Sequence, residues 1–150
     1  MDWLKAGLLE SRAVFKIIVN SVPISNFPAL LDLAHNDRWE GYAAQRTEIL
    51  THIDEHEIQG VLWVAGDFHL ASIGRVSMSG PGSHATEILV GPGAQVPNPL
   101  VLTLAAPQFE WASGVNNYAT LRLDPSAREI TVTYFSGSGS EIHRALLSAP

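Results

Sequence analysis

Cysteine is absent from the 150 residues. Disulfide staples and thiolate metal centres are thereby excluded, and only oxygen and imidazole donors remain as strong ligands for a metal. Basic residues are scarce: nine Lys and Arg stand against fifteen Asp and Glu, for a formal net charge of −6. A nucleic-acid-binding surface needs a basic stripe, so no nucleic-acid partner is expected. The deficit leaves room for a site that takes small anions, because a bound metal inverts the local field. No run approaches the roughly 18 consecutive apolar residues of a membrane span. Met1-Asp2-Trp3-Leu4-Lys5 lacks the basic segment and apolar core of a signal peptide, so export of the chain as written is not expected. There is no internal repeat and no heptad pattern. Gly-x-Ser-x-Gly is missing too, which leaves an elbow-type serine hydrolase unsupported.

What is present is an ordinary globular composition, 46% apolar, long enough to bury a core as one domain over 1–150. Its most informative stretch is Val61-Leu62-Trp63-Val64-Ala65-Gly66-Asp67-Phe68-His69. An apolar run bounded by Gly60 and Gly66 reads as a buried strand. Asp67 and His69 then follow its end, where open α/β sheets place their ligands. Two residues apart in an extended turn, they project to one side. A carboxylate beside an imidazole suits zinc, manganese or iron.

Upstream, Asp2 reads as the cap of a short helix with apolar positions at Trp3, Leu4 and Leu8. Residues 13–19 read as a strand buried on both faces, ending at Asn20-Ser21-Val22-Pro23. Residues 24–41 carry turn formers and read as a long loop, a length that points to function. Tyr42 to His56 reads as an amphipathic helix with Tyr42, Ile49, Leu50 and Ile53 on its apolar face. Strand, loop, helix and strand over 13–65 make a βαβ unit with parallel strands. Leu70 to Met78 and Ala85 to Val90 read as strands joined by Ser79-Gly80-Pro81-Gly82. Residues 91–117 carry no assignable pattern. Two-residue alternation around Asp124-Pro125-Ser126-Ala127 marks a hairpin, and Gly137-Ser138-Gly139-Ser140 turns the chain into a last strand.

Four fragments in order carry a resemblance. They are Trp3-Leu4-Lys5 with Leu8-Leu9; Phe15-Lys16-Ile17-Ile18 with Ser21-Val22-Pro23; Asp37-Arg38-Trp39-Glu40-Gly41-Tyr42 with Arg46; and Gly66-Asp67-Phe68-His69. Together they resemble the alkaline phosphatase D family of metallophosphoesterases, over roughly 1–78 and more loosely 117–147. The resemblance implies an α/β fold: part of a calcineurin-like α/β/β/α sandwich, a βαβ unit followed by antiparallel strands. It also implies hydrolysis of phosphate mono- or diesters at a two-metal site of divalent or trivalent ions such as Ca, Fe, Mn or Zn. Family members are much longer and commonly exported. Their first metal ligands come from Asp-containing and Asn-His-Glu-like motifs in the half of the domain that precedes the matched part, so the chain resembles the C-terminal half. The expected partners are a phosphate-ester substrate and either a second copy of the chain or the missing N-terminal half. A non-catalytic, oligomerising remnant is the alternative.

Residue by residue, the resemblance implies that His69 and Asp67 bind metal, Asp67 standing where calcineurin-like relatives have the first His of Gly-His-x-His. Asn20, ending the other parallel strand, is implied to contact the second metal, with Ser21 its neighbour in register. Trp39 and Tyr42 are implied to border the substrate. Against these stand plain structural roles: a turn Asp capping local amides, a partly buried His, a turn residue before Pro23, and a core stripe beginning at Tyr42. Arg46 falls inside the apolar arc of its helix, where an unpaired charge is costly, so a structural ion pair to Asp37 or Glu40 is expected. His52 and His56 have ligand spacing on a helix but read as a solvated face. Gly91-Pro92-Gly93 and Gly137–Ser140 read as turns, since neither precedes a helix or a Lys.

Overall fold

The computed structural model describes residues 1–27 and 35–149. Helix α1 (Asp2–Glu10) leads into strand β1 (Lys16–Asn20). After two short 3-10 turns (His35–Asp37 and Trp39–Tyr42) come helix α2 (Ala43–Glu55) and strand β2 (Val61–Ala65). Strands β3 (Ala71–Arg75), β4 (Thr86–Leu89) and β5 (Phe109–Ser113) follow. A meander of β6 (Asn117–Asp124), β7 (Glu129–Ser136) and β8 (Glu141–Ser148) closes the chain.

The first five strands form one mixed sheet in the order β1-β2-β4-β3-β5; the last three form a separate antiparallel sheet. β1, β2 and β4 run parallel, with Asn20 opposite Ala65 and Ala65 opposite Leu89. Their carboxyl ends therefore share one edge of the sheet. β3 returns antiparallel to β4, as the Gly-Pro-Gly turn between them predicts, and pairs with β5 across a register shift at Ile73/Gly74.

Two apolar layers hold the fold. On one face of the mixed sheet α2 seats Ile49, Leu50 and Ile53 over Trp63, Val76 and Ala85, with Leu8 of α1 beside them. On the other face Leu62, Ala71, Ile73 and Ile88 meet Ile130, Val132 and Tyr134 of the antiparallel sheet. The Tyr134 hydroxyl donates to the carbonyls of Ser72 (3.1 Å) and Leu89 (2.9 Å), tying one sheet to the other. Burial raises its pKa, so it stays a neutral donor. The result is helices, sheet and sheet in layers, part of the expected sandwich.

Several local expectations give way to tertiary context. Asp2 lies in the first turn of α1 and pairs with Lys5 at 3.5 Å; the cap position is Met1, and no side chain caps it. β1 is shorter than the apolar run and is an edge strand, so Val19 is 77% exposed instead of buried. Tyr42 stands at the N-cap of α2 and is exposed, so the buried stripe begins at Arg46. Within the long loop, Pro28 lies outside the described residues.

Candidate functional site

The turn after β2 is built around Phe68. Its ring is buried in a third apolar cluster with Phe27, Ala65, Leu70, Leu89, Leu100 and Phe109. It lies 4.4 Å from the ring of Phe27, and the Arg38 guanidinium carbon sits 4.5 Å over its face. Arg38 is itself buried and paired with Glu40. Glu40 also accepts from the Phe27 amide at 3.1 Å. The segments around 27, 38–40 and 68 are thus fastened to one another.

With Phe68 plugged inward, its neighbours are turned outward. Asp67 (φ 61°) and His69 (φ 56°) both occupy the left-handed region, which costs a non-glycine residue roughly 1–2 kcal/mol. Gly66 opens the turn, its carbonyl accepting from the Phe68 amide at 2.7 Å. Asp67 is exposed and His69 partly so. Two strained polar residues flanking an apolar plug at the carboxyl end of a parallel strand form the kind of backbone outlier that clusters at functional sites. The His69 carbonyl accepts from Asn98 at 2.9 Å, which draws the segment before the 3-10 turn Pro99–Thr103 against the site.

Asn20 reaches the same edge from β1, and its side-chain nitrogen is buried without a hydrogen-bond partner among the described residues. An orphaned buried amide at a ligand edge is a donor in want of an oxygen, or, with the amide turned over, an oxygen in want of a cation. A third strand end is secured by Asn117. Its side chain donates to the carbonyls of Gly91 (2.5 Å) and Val115 (2.7 Å) and accepts from the Gly91 amide (3.3 Å).

The other predicted residues fall elsewhere. Trp39, half-buried, packs edge-on against Trp63 at 6.4 Å beside the core under α2. Tyr42, exposed at the start of α2, is free to meet a ligand. Arg46 is structural as expected, but no carboxylate holds it: it donates to the carbonyls of Ile24 (2.6 Å) and Val76 (3.1 Å) and to the Ser77 hydroxyl (3.0 Å). Burial lowers the Arg46 pKa against the opposing pull of Glu40 and Glu87, and Glu40 pairs with Arg38 instead. His52, half-buried, bonds through Nε2 to the Lys5 carbonyl, and His56, exposed as expected, bonds through Nδ1 to the His52 carbonyl.

Sequence reading missed Glu87. It is 2% exposed and accepts from the amides of Ile24 (2.8 Å) and Ser25 (3.0 Å). Burial pushes its pKa up, against the pull of those hydrogen bonds and of Arg46. The only available signal was a carboxylate inside the run Thr86-Glu87-Ile88-Leu89.

Asp67 and His69 offer the donor types a hard or borderline metal takes, and the Asn20 amide stands at the same edge. Among the described residues no three His, Asp or Glu converge on one point.

An open α/β sheet backed by a second sheet, with metal-competent side chains past the end of a parallel strand, defines a metallophosphoesterase-type scaffold. The chain belongs to the PhoD-like phosphatase family, whose model matches residues 1–128. A solved structure titled "Structure of PhoD" shares its fold, with a TM-score of 0.70 at 17% identity over 98% of this chain. The matched region spans 31% of that chain, so this sequence corresponds to about a third of the solved protein. Comparison with curated proteins finds no match.

Proposed function

We propose that this chain contributes the later half of a phosphoesterase site, hydrolysing phosphate mono- or diesters when the remaining ligands are supplied by the preceding part of such a domain or by a second chain. The observation that carries the reading is the Asp67-Phe68-His69 turn, two left-handed polar residues held outward by a buried plug, in a chain of a phosphatase family.

In this reading Asp67 and His69 hold metal and Asn20 contacts either metal or a phosphoryl oxygen. Tyr42 borders the ester group, with Trp39 fixing the loop beneath it. Bound metals supply Lewis-acid charge that lowers the pKa of an attacking water and offsets charge building on the phosphoryl oxygens. The chain's own part is geometric: the Phe68 plug fixes the direction of both ligands before substrate arrives, so no reorganisation is needed at the moment of reaction. Residues 1–150 are proposed to act as one folding unit.

The test is hydrolysis of a chromogenic phosphodiester by the chain, alone and with an N-terminal fragment of a PhoD-like protein, beside Asp67→Ala/His69→Ala. Activity lost in the double variant supports the reading. Equal residual rates in both proteins, when both are folded, refute it. A second reading, an oligomerising module, is favoured by the edge position of β1 with Val19 and Trp3 (86%) exposed. Light scattering that finds a clean monomer rules it out.

A further inference from the structure

We infer that Glu87 and Arg46 are positioning residues: they grip the Ile24–Ser25 peptide from both sides and thereby set the direction of Asp67 and His69. The inference rests on the reading of those two residues as ligands.

The grip is two-sided. The Ile24–Ser25 peptide link consists of the Ile24 carbonyl and the Ser25 amide. Arg46, from α2, donates to that carbonyl at 2.6 Å. Glu87, from β4, accepts from that amide at 3.0 Å and from the preceding Ile24 amide at 2.8 Å. Arg46 reaches on to the Val76 carbonyl, which also accepts from Asn26 at 3.1 Å. The segment leaving β1 is therefore sewn to the sheet just beyond β3. Ile24 and Ser25 are 0% and 1% exposed, so no water takes over these bonds if they are cut.

From the grip a line of contacts runs to the site. Ser25 lies two residues before Phe27. The Phe27 ring is wedged between Phe68 at 4.4 Å and Phe109 at 5.6 Å. Phe68 is the plug whose seating turns Asp67 and His69 outward. A slack segment at 24–25 lets Phe27 shift, and a shift of Phe27 unseats Phe68. Apolar side chains of the same volume at 46 and 87 would fill the space without a desolvation cost. They would leave two buried amides and a carbonyl unsatisfied in a loop that no strand pairing restrains.

The experiment uses the isotopically labelled chain as wild type, Glu87→Gln, Arg46→Lys and Val132→Ala. Val132 is fully buried between the two sheets, so its truncation reports a general loss of stability remote from the grip. Three quantities are measured: hydrogen exchange of the Ile24 and Ser25 amides, the amide signals of Asp67 and His69, and the affinity for Mn²⁺ by calorimetry. Glu87→Gln is expected to speed exchange at Ile24 and Ser25 about tenfold or more beyond Val132→Ala at matched melting temperature, the effect of replacing one accepting oxygen by an NH2 group that cannot accept. It should also move the Asp67 and His69 signals, and weaken Mn²⁺ binding about 10- to 100-fold, as loss of a residue that orients a ligand from behind does. Arg46→Lys, which keeps one donor for Ile24, should fall between. Unchanged exchange at Ile24 and Ser25, or faster exchange with unmoved Asp67 and His69 signals, overturns the inference. A wild-type chain that binds no Mn²⁺ refutes the ligand reading alone, and the exchange and signal data then still decide the positioning role.

Discussion

Truncation of Phe68 to Ala separates a site built on a buried plug from a surface loop that merely carries polar residues. Phe68 is 8% exposed, in ring contact with Phe27 and under the Arg38 guanidinium. Cutting a buried Phe to Ala costs about 3–5 kcal/mol, and the figure already contains the ring contacts. The turn lies at the sheet edge, where neighbours can partly collapse into the space, so the lower end, about 3 kcal/mol, is expected. In a domain of this size each kcal/mol moves the melting temperature about 2–4 °C, which places Phe68→Ala roughly 6–12 °C below wild type. Calorimetry and urea unfolding followed by circular dichroism measure it. Tyr118→Ala serves as the comparison: its ring stacks on Phe135 at 5.3 Å but is 49% exposed, so about 1 kcal/mol or less is expected. Phe68→Leu keeps most of the plug and should cost about 1.5 kcal/mol while preserving whatever metal affinity the wild type has. If Phe68→Ala costs no more than Tyr118→Ala, the turn is not held by its plug and the argument from the left-handed flanking residues fails.

Asp67→Gly and His69→Gly each relieve a left-handed residue, and after the chain entropy of glycine is deducted each should raise stability by about 0.5–1 kcal/mol while removing whatever metal affinity the wild type has; a loss of stability in urea melts would show that the side chains hold the turn. Asn117→Ala leaves the Gly91 amide and carbonyl buried without partners and should cost about 2–4 kcal/mol by denaturant midpoint, with a cost under about 1 kcal/mol contradicting the staple. The pH dependence follows from Glu87, whose folded pKa is raised, chiefly by burial. The folded chain then keeps a proton that the unfolded chain has released, so the contribution of Glu87 to stability is greatest below the ordinary carboxyl range and falls as pH rises through the folded pKa. Urea midpoints of wild type minus Glu87→Gln should therefore decline with rising pH, and a difference that rises instead would reverse the assignment.

Apolar patterning made half of this fold legible and could not reach the other half, for a physical reason that recurs residue by residue. A periodicity reports which side of an element is apolar; it does not report what the rest of the chain lays against that side. β2 was readable because both of its faces are covered, and its Gly-Asp-Phe-His terminus located the candidate site. The equally apolar run at 13–19 gave an edge strand, since position in the sheet order β1-β2-β4-β3-β5 depends on partners distant in sequence. Arg46 announced that it needed a partner by standing in an apolar arc, but two of its three partners are main-chain carbonyls that any sequence at 24 and 76 would supply, and the third is the Ser77 hydroxyl. Glu87 looked like one step of an alternation; its face is the one shared with Trp63 and sealed by α2 and the segment after β1. β5 went unread because it is only the five residues Phe-Glu-Trp-Ala-Ser, set in a stretch rich in Gly, Pro, Asn and Gln. The same asymmetry governs the site. Candidate ligands announce themselves by chemistry, as Asp67 and His69 do. The residues proposed to aim them are buried ones, and Phe68, Phe27 and Glu87 become recognisable only when the fold packs Phe27 against Phe68 and hangs the segment before Phe27 on Glu87. A variant that disables this protein without touching a ligand should therefore be sought first among the residues that no motif contains.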